Sequence, residues 1–135
     1  MRRRWIDVAT LVAGVWLSVV VVNVAKAAYD RPRPAGGLVS VADFAYPSGH
    51  AAYAVVWVAC ATVLVRAGAG WAVRFAAVSV TIAFVVAVCV TRVYLRVHYL
   101  TDVLGGVALA VATWALVGTF ALIAGYVRHN GRRDR

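Results

Sequence analysis

Eight residues of this 135-residue chain have the types and spacing to act on an anion: Lys26, Arg33, Ser48, Gly49, His50, Arg92, His98 and Asp102. Lysine supplies a compact positive charge, and arginine a planar fork that grips two oxygens at once. Two or three such cations beside two histidines suggest a phosphate site. Ser48 and Gly49 stand where an apolar run begins. A helix starting there would turn its free N–H groups and the positive end of its dipole toward an anion. His98 and Asp102 are four residues apart, which on a helix places them on one face, one turn apart. A carboxylate beside an imidazole fixes its tautomer and stabilises its charged form. A nucleophilic or basic histidine needs that support. His50 is the second histidine, suited to protonating a leaving group. His50, His98 and Asp102 lack the local ligand spacing of a zinc site, so no metal is expected.

Four apolar runs must position these residues: 5–25, 50–65, 71–91 and 103–127. Each is near the roughly 20 residues a helix needs to cross a bilayer. They are apolar nearly all round, as membrane or fully buried helices are. The expected fold is all-α, an integral-membrane bundle of about four transmembrane helices over 5–25, 48–66, 71–91 and 102–127. Residues 1–135 then form a single membrane-embedded domain. Pro47 suits a helix N-terminus. Gly14, Ala51, Ala52, Ala83, Ala87, Gly105 and Gly106 are expected to let helices approach closely. Between the runs, residues 26–47 hold Asp30-Arg31-Pro32-Arg33-Pro34, Gly36-Gly37 and Asp43, where proline and glycine forbid a continuous helix. Asp30 and Arg31 read as a solvated loop pair, and Arg92–Asp102 as a polar interruption.

Composition narrows the partners. The chain is 64% hydrophobic and 14% charged, with net charge +9. The charges gather at the chain ends and in the gaps, with no basic stripe interleaved with aromatics, which excludes nucleic acid. Four spans put both termini and the turn at 66–70 on one side. That side holds nine basic residues, Arg2, Arg3, Arg4, Arg66, Arg74, Arg128, Arg132, Arg133 and Arg135. The other holds five, Lys26, Arg31, Arg33, Arg92 and Arg96. The positive-inside rule then predicts cytoplasmic termini and an active-site loop facing outward. Met1-Arg2-Arg3-Arg4, an apolar run and Ala25-Lys26-Ala27 have the form of a secretory signal, but Asp7 and the length of the run argue against cleavage. Thirteen Arg against one Lys, with abundant Ala and Val, point to a GC-rich bacterial genome and so to the bacterial inner membrane. Cys60 and Cys89 fall inside apolar runs and read as small buried thiols.

The chain resembles the phosphatidic acid phosphatase type 2 superfamily, the lipid phosphate phosphatases. The family's first motif, K-x6-R-P, is matched by Lys26 through Arg33-Pro34, and its second, P-S-G-H, by Pro47-Ser48-Gly49-His50. The third, S-R-x5-H-x3-D, is matched by Arg92, His98 and Asp102, with Thr91 where the family has serine. Thr91 keeps a hydroxyl for phosphate binding. One helix precedes Lys26, where family members usually carry more. The resemblance implies hydrolysis of a lipid phosphate or pyrophosphate through a phosphohistidine on His98, without a cofactor. Asp102 would orient His98, and His50 would serve as acid and then base. Lys26, Arg33, Ser48, Gly49 and Arg92 would hold the phosphate. The expected partners are the bilayer and a lipid substrate: a polyprenyl carrier phosphate first, otherwise phosphatidate or phosphatidylglycerophosphate. A second copy of the chain is a candidate partner for its apolar faces. Two rival functions share these residues: a catalytically silent phosphate-binding or scaffold protein, and a lipid phosphotransferase.

Overall fold

The computed structural model describes residues 2–65 and 70–130. Arg66, Arg132, Arg133 and Arg135, counted in the charge-bias argument, lie outside the described residues, as does nearly all of the turn at 66–70. The described residues form four α-helices: α1 (Arg2–Tyr29), α2 (Gly49–Val65), α3 (Trp71–Tyr94) and α4 (Leu100–Asn130). At 1.5 Å rise per residue, α1, α3 and α4 reach about 42, 36 and 46 Å, beyond the roughly 30 Å of a hydrocarbon core. Their segments Val8–Tyr29, Trp71–Tyr94 and Leu100–Val127 are long and apolar enough to cross a membrane, while α2 offers the shorter apolar stretch Gly49–Ala61. The chain is an all-α transmembrane bundle.

Burial follows from the choice of solvent. The buried apolar cluster is small, Val22 of α1, Ala52 of α2 and Ala110 of α4, with Val55 and Leu109 packed against it. Trp16, Trp57, Phe75, Phe120 and Leu122 are exposed, and α3 has no buried residue. In water such a surface would aggregate. Lipid tails are as apolar as leucine, so these side chains have no reason to turn inward, and close backbone approach holds the helices together instead. Gly14 meets the Trp114 ring, and a Cβ on Gly14 would lie 2.6 Å from it. Ala51 and Ala52 are fully buried, as expected of interface residues. Ala83 and Ala87 are exposed on α3, contrary to the interface role read from their size. Cys60 and Cys89 are free and half-buried rather than buried. α2 packs on α1, α3 and α4, and α1 on α4, whereas α3 and α4 touch least.

Two helix ends shape the site. Asp30 follows α1 in the left-handed region, φ 44°, its N–H bonded to the Lys26 carbonyl (3.1 Å). Pro32 and Pro34 then bar any continuation. Past α3, the Arg96 N–H reaches the Val93 carbonyl (3.0 Å) and the Val97 N–H the Arg92 carbonyl (3.3 Å), with Arg96 at φ 53°. This is a Schellman ending, in which a left-handed residue satisfies the last carbonyls and reverses the chain. Arginine occupies a place usually held by glycine. Pro47 lies outside any helix, two residues before α2 begins, so Ser48 rather than Pro47 borders the first turn.

Candidate active site

The site lies where the segment 30–48 meets the α3–α4 turn. Two backbone bonds join these pieces, Leu38 N–H to Leu95 carbonyl (3.0 Å) and Ser48 N–H to Asp102 carbonyl (2.9 Å); Ala45 N–H to Arg31 carbonyl (2.8 Å) braces the segment itself, and Asp102 N–H to Tyr99 carbonyl (3.0 Å) the turn. Glycines permit the closest approach. A Cβ on Gly106 would sit 2.4 Å from the Ser48 carbonyl oxygen, and one on Gly105 2.4 Å from the Tyr46 ring. Helix α4 therefore lies directly against Tyr46-Pro47-Ser48. Tyr46 in turn meets Tyr29 edge to face, with ring centroids 4.7 Å apart.

His98 is buried in the α3–α4 turn, not on a helix, so it shares no helical face with Asp102. Its Nδ1 lies 2.8 Å from the Ala45 carbonyl and 3.7 Å from Asp102 Oδ2. A carbonyl can only accept, so Nδ1 carries the proton and Nε2 keeps its lone pair. The backbone of Ala45 thus sets the tautomer that sequence reasoning gave to Asp102, whose charge acts on the ring from beyond hydrogen-bond distance. Nε2 lies 3.3 Å from Arg33 Nη1. Burial, the stronger influence, and the nearby Arg33 charge hold the imidazole below its usual range; the Ala45 bond and Asp102 pull weakly the other way.

Asp102 is fully buried in the first turn of α4. Its Oδ2 accepts the Tyr99 N–H (2.8 Å), and its Oδ1 accepts Arg31 Nη1 (2.7 Å). Arg31 also donates to Thr101 Oγ1 (2.7 Å), and its guanidinium lies 4.5 Å above the Tyr99 ring. Arg31 is therefore the ion-pair partner of a buried carboxylate and not a solvated mate of Asp30. The sequence hint was the doubled Arg-Pro of residues 31–34, of which only Arg33 entered the motif.

The cations form the other wall. Lys26 Nζ donates to the Phe44 carbonyl (2.6 Å) and to Asp43 Oδ2 (2.8 Å). Arg33 donates through Nε to the Asp43 carbonyl (2.8 Å), through Nη1 to the Val97 carbonyl (2.7 Å), and through Nη2 to the Asp43 carboxylate. Burial by itself raises the Asp43 carboxyl, but the hydrogen bonds and charges of Lys26 and Arg33 outweigh it and hold the group below the usual carboxylate range. Asp43 was read only as one polar residue of the loop. Gly49 is buried beside Lys26, with space for a Cβ 3.9 Å from Lys26 Cε. His50 is exposed in the first turn of α2, within the fields of Arg92, Arg33, Lys26 and Asp43. Arg92, in the last turn of α3, buries its Nε without a hydrogen-bond partner among the described residues.

Two residues depart from their expected parts. The Ser48 N–H is already bonded to the Asp102 carbonyl, so it is not offered to an anion; the hydroxyl oxygen accepts the Ala51 N–H at a long 3.5 Å. The Thr91 hydroxyl donates to the Val88 carbonyl within α3 (2.7 Å) and is exposed. Among the described residues no cluster of three or more His, Cys, Asp or Glu side chains could hold a metal ion.

Lys26, Arg33 and His98 thus converge on one another, His50 and Arg92 share their electrostatic field, and Asp102 stands behind His98. Comparison with known proteins falls on the same stretch of chain. No curated protein sequence matches. A solved structure described as the first transmembrane PAP2 type phosphatidylglycerolphosphate phosphatase, from Bacillus subtilis, superposes with a TM-score of 0.72 at 30% identity. The match covers 82% of this chain and 56% of that one, so this chain spans little more than half of its neighbour's length. The PAP2 superfamily model matches residues 7–124, from the first turns of α1 through most of α4 and across every residue of the site. With its motif residues folded into one place inside that span, the chain belongs to the PAP2 superfamily.

Proposed function

We propose that the chain hydrolyses a phosphate or pyrophosphate group of a membrane lipid through a phosphohistidine on His98. One observation carries the reading: a buried imidazole whose Nδ1 proton is given to the Ala45 carbonyl, leaving the Nε2 lone pair beside the Arg33 guanidinium. A nucleophilic nitrogen and an anion-gripping cation in contact suit attack on phosphorus. Nε2 attacks, the bond from phosphorus to the leaving oxygen breaks, and protonated His50 gives that oxygen its proton. His50 then takes a proton from water, which attacks phosphorus, and the phosphorus–nitrogen bond breaks to release phosphate and free His98. Lys26, Arg33, Arg92, the Ser48 hydroxyl and Gly49 hold the phosphate oxygens. Asp102, anchored by Arg31, stabilises the positive ring as it forms.

The lipid character rests on the surroundings. An apolar cavity of about 750 Å³ lies between α2, α3 and α4 and runs to Val93, Tyr94 and Leu100, the residues flanking the catalytic turn. A hydrocarbon chain seated there would bring its headgroup to that end of the bundle. Polyprenyl carrier phosphate, phosphatidate and phosphatidylglycerophosphate are the substrates to compare, the last also named by the Bacillus neighbour. The site faces outward from a bacterial inner membrane, with the termini in the cytoplasm. A cysteine placed at Gly70 that was labelled from outside intact cells would reverse this orientation.

The deciding experiment measures phosphate release from these lipids in detergent, comparing the wild-type chain with His98→Ala. Loss of a nucleophile that acts with its partners as a unit is expected to cost at least about a thousandfold in turnover. A His98→Ala protein as active as wild type would remove the mechanism. Product analysis separates hydrolysis from transfer, since transfer leaves a phosphorylated acceptor and little free phosphate.

A further inference from the structure

The Asp43 carboxylate sits on the same two cations assigned to the substrate. Its Oδ2 is 2.8 Å from Lys26 Nζ, and its Oδ1 accepts from Arg33 Nη2. A carboxylate offers two oxygens with shared negative charge, as one face of a phosphoryl group does. Exposure differs sharply across these pairs: the Asp43 side chain is 56% exposed, against 12% for Lys26 and 15% for Arg33. The cations are the fixed members and the anion is the free one.

A positioning role for the carboxylate is the obvious alternative, and the remaining bonds argue against it. Without that carboxylate, Lys26 Nζ still donates to the Phe44 carbonyl, and Arg33 still donates to the Asp43 and Val97 carbonyls. Three backbone acceptors hold the two cations where they are. What the carboxylate takes up is one hydrogen of Lys26 and one of Arg33 Nη2, which also reaches the Phe44 carbonyl at 3.4 Å. The same guanidinium lies 3.3 Å from His98 Nε2, so an anion gripped there lies alongside the nucleophile.

We propose that Asp43 is a displaceable occupant of the phosphate subsite, swinging toward solvent when the substrate's phosphate takes Lys26 and Arg33, and returning as product phosphate leaves. The inference rests on the phosphate-binding reading above. Asp43 thereby weakens binding of substrate and product alike and keeps released phosphate from blocking the site.

The test is binding of inorganic phosphate to the full chain in detergent, by titration calorimetry, for wild type, Asp43→Asn, Asp43→Ala and Lys26→Gln. An exposed ion pair competes only modestly, so both Asp43 variants are expected to bind phosphate about fivefold more tightly than wild type. Lys26→Gln is expected to bind more weakly. Asp43 variants that bind as wild type does, or more weakly, overturn the inference and make the carboxylate a positioning group. If Lys26→Gln binds as tightly as wild type, the phosphate is not held by these cations and the reading of the site falls with it. The first failure leaves the phosphatase reading standing; the second does not.

Discussion

Helices α3 and α4 have similar apolar composition and opposite fates. The first three turns of α4 bury Asp102, Val103, Gly106 and Ala110, with Gly106 against Ser48 and Ala110 against Val22 and Ala52, whereas α3 buries nothing along 24 residues. Only the last turn of α3, with Arg92 and the Schellman reversal after it, reaches the site. The contrast separates two kinds of apolar residue that look alike in sequence. At Gly106 on α4 a small residue is a geometric requirement, because a backbone carbonyl lies where its Cβ would be. At Ala83 and Ala87 on α3 a small residue faces lipid, and its size is of little consequence.

The sharpest way to break this comparison is a pair of substitutions. Gly106→Ala must displace the Ser48 backbone or α4 itself, because the atom in the way is a carbonyl oxygen. A cost of about 3 kcal/mol in thermal unfolding is expected, with lost turnover, since overpacking a tight contact costs of that order. Ala87→Leu on α3 is expected to change stability by less than about 0.5 kcal/mol, as surface substitutions do. Equal effects at the two positions would erase the distinction.

Arg31→Gln tests whether the α4 side of the site depends on the neighbouring loop. It leaves a fully buried carboxylate with the Tyr99 N–H as its remaining short partner. The expected cost is about 2 kcal/mol, below that of breaking a wholly buried pair because Arg31 itself is partly exposed. Turnover is expected to fall about tenfold, the lower end of what losing a partner behind a reactive group costs. Unchanged melting and rate would return Arg31 to the solvated loop.

The smallest effect concerns protons. Burial and Arg33 depress the His98 ring, so its neutral form should persist as pH falls below the ordinary imidazole range; if His98 is the proposed nucleophile, activity is expected to be lost only below that. Arg33→Gln removes one depressing influence. The acid limb of its residual rate should therefore move to higher pH than in wild type. A limb that stayed in place, or moved to lower pH, would show that Arg33 does not act on His98.

The four helices were legible because lipid imposes the plainest pattern there is, long runs without charge. The charged residues of the site were legible because such groups are costly at membrane depth. What could not be read came from contacts between distant parts of the chain. Arg31 and Asp102 are 71 residues apart, and local reasoning paired Arg31 with its neighbour Asp30 instead. Pairing His98 with Asp102 on one face presumes a helix through both, and Leu95-Arg96-Val97 contains no glycine to announce the left-handed reversal that Arg96 adopts. The tautomer was assigned to a carboxylate because a backbone carbonyl leaves no trace in a residue string.

Ala45 carries that carbonyl, and it has a practical consequence. Its N–H bonds Arg31 and its oxygen bonds His98, while its methyl group is wholly enclosed. Substitution scanning at position 45 will therefore report on volume alone: glycine will pass, larger residues will fail, and both results will look like ordinary packing. The atom that decides which imidazole nitrogen carries the proton is the same in all twenty amino acids. Only a change to the peptide group itself, such as replacing the amide that follows Ala45 with an ester to weaken its carbonyl, would make that atom's contribution measurable.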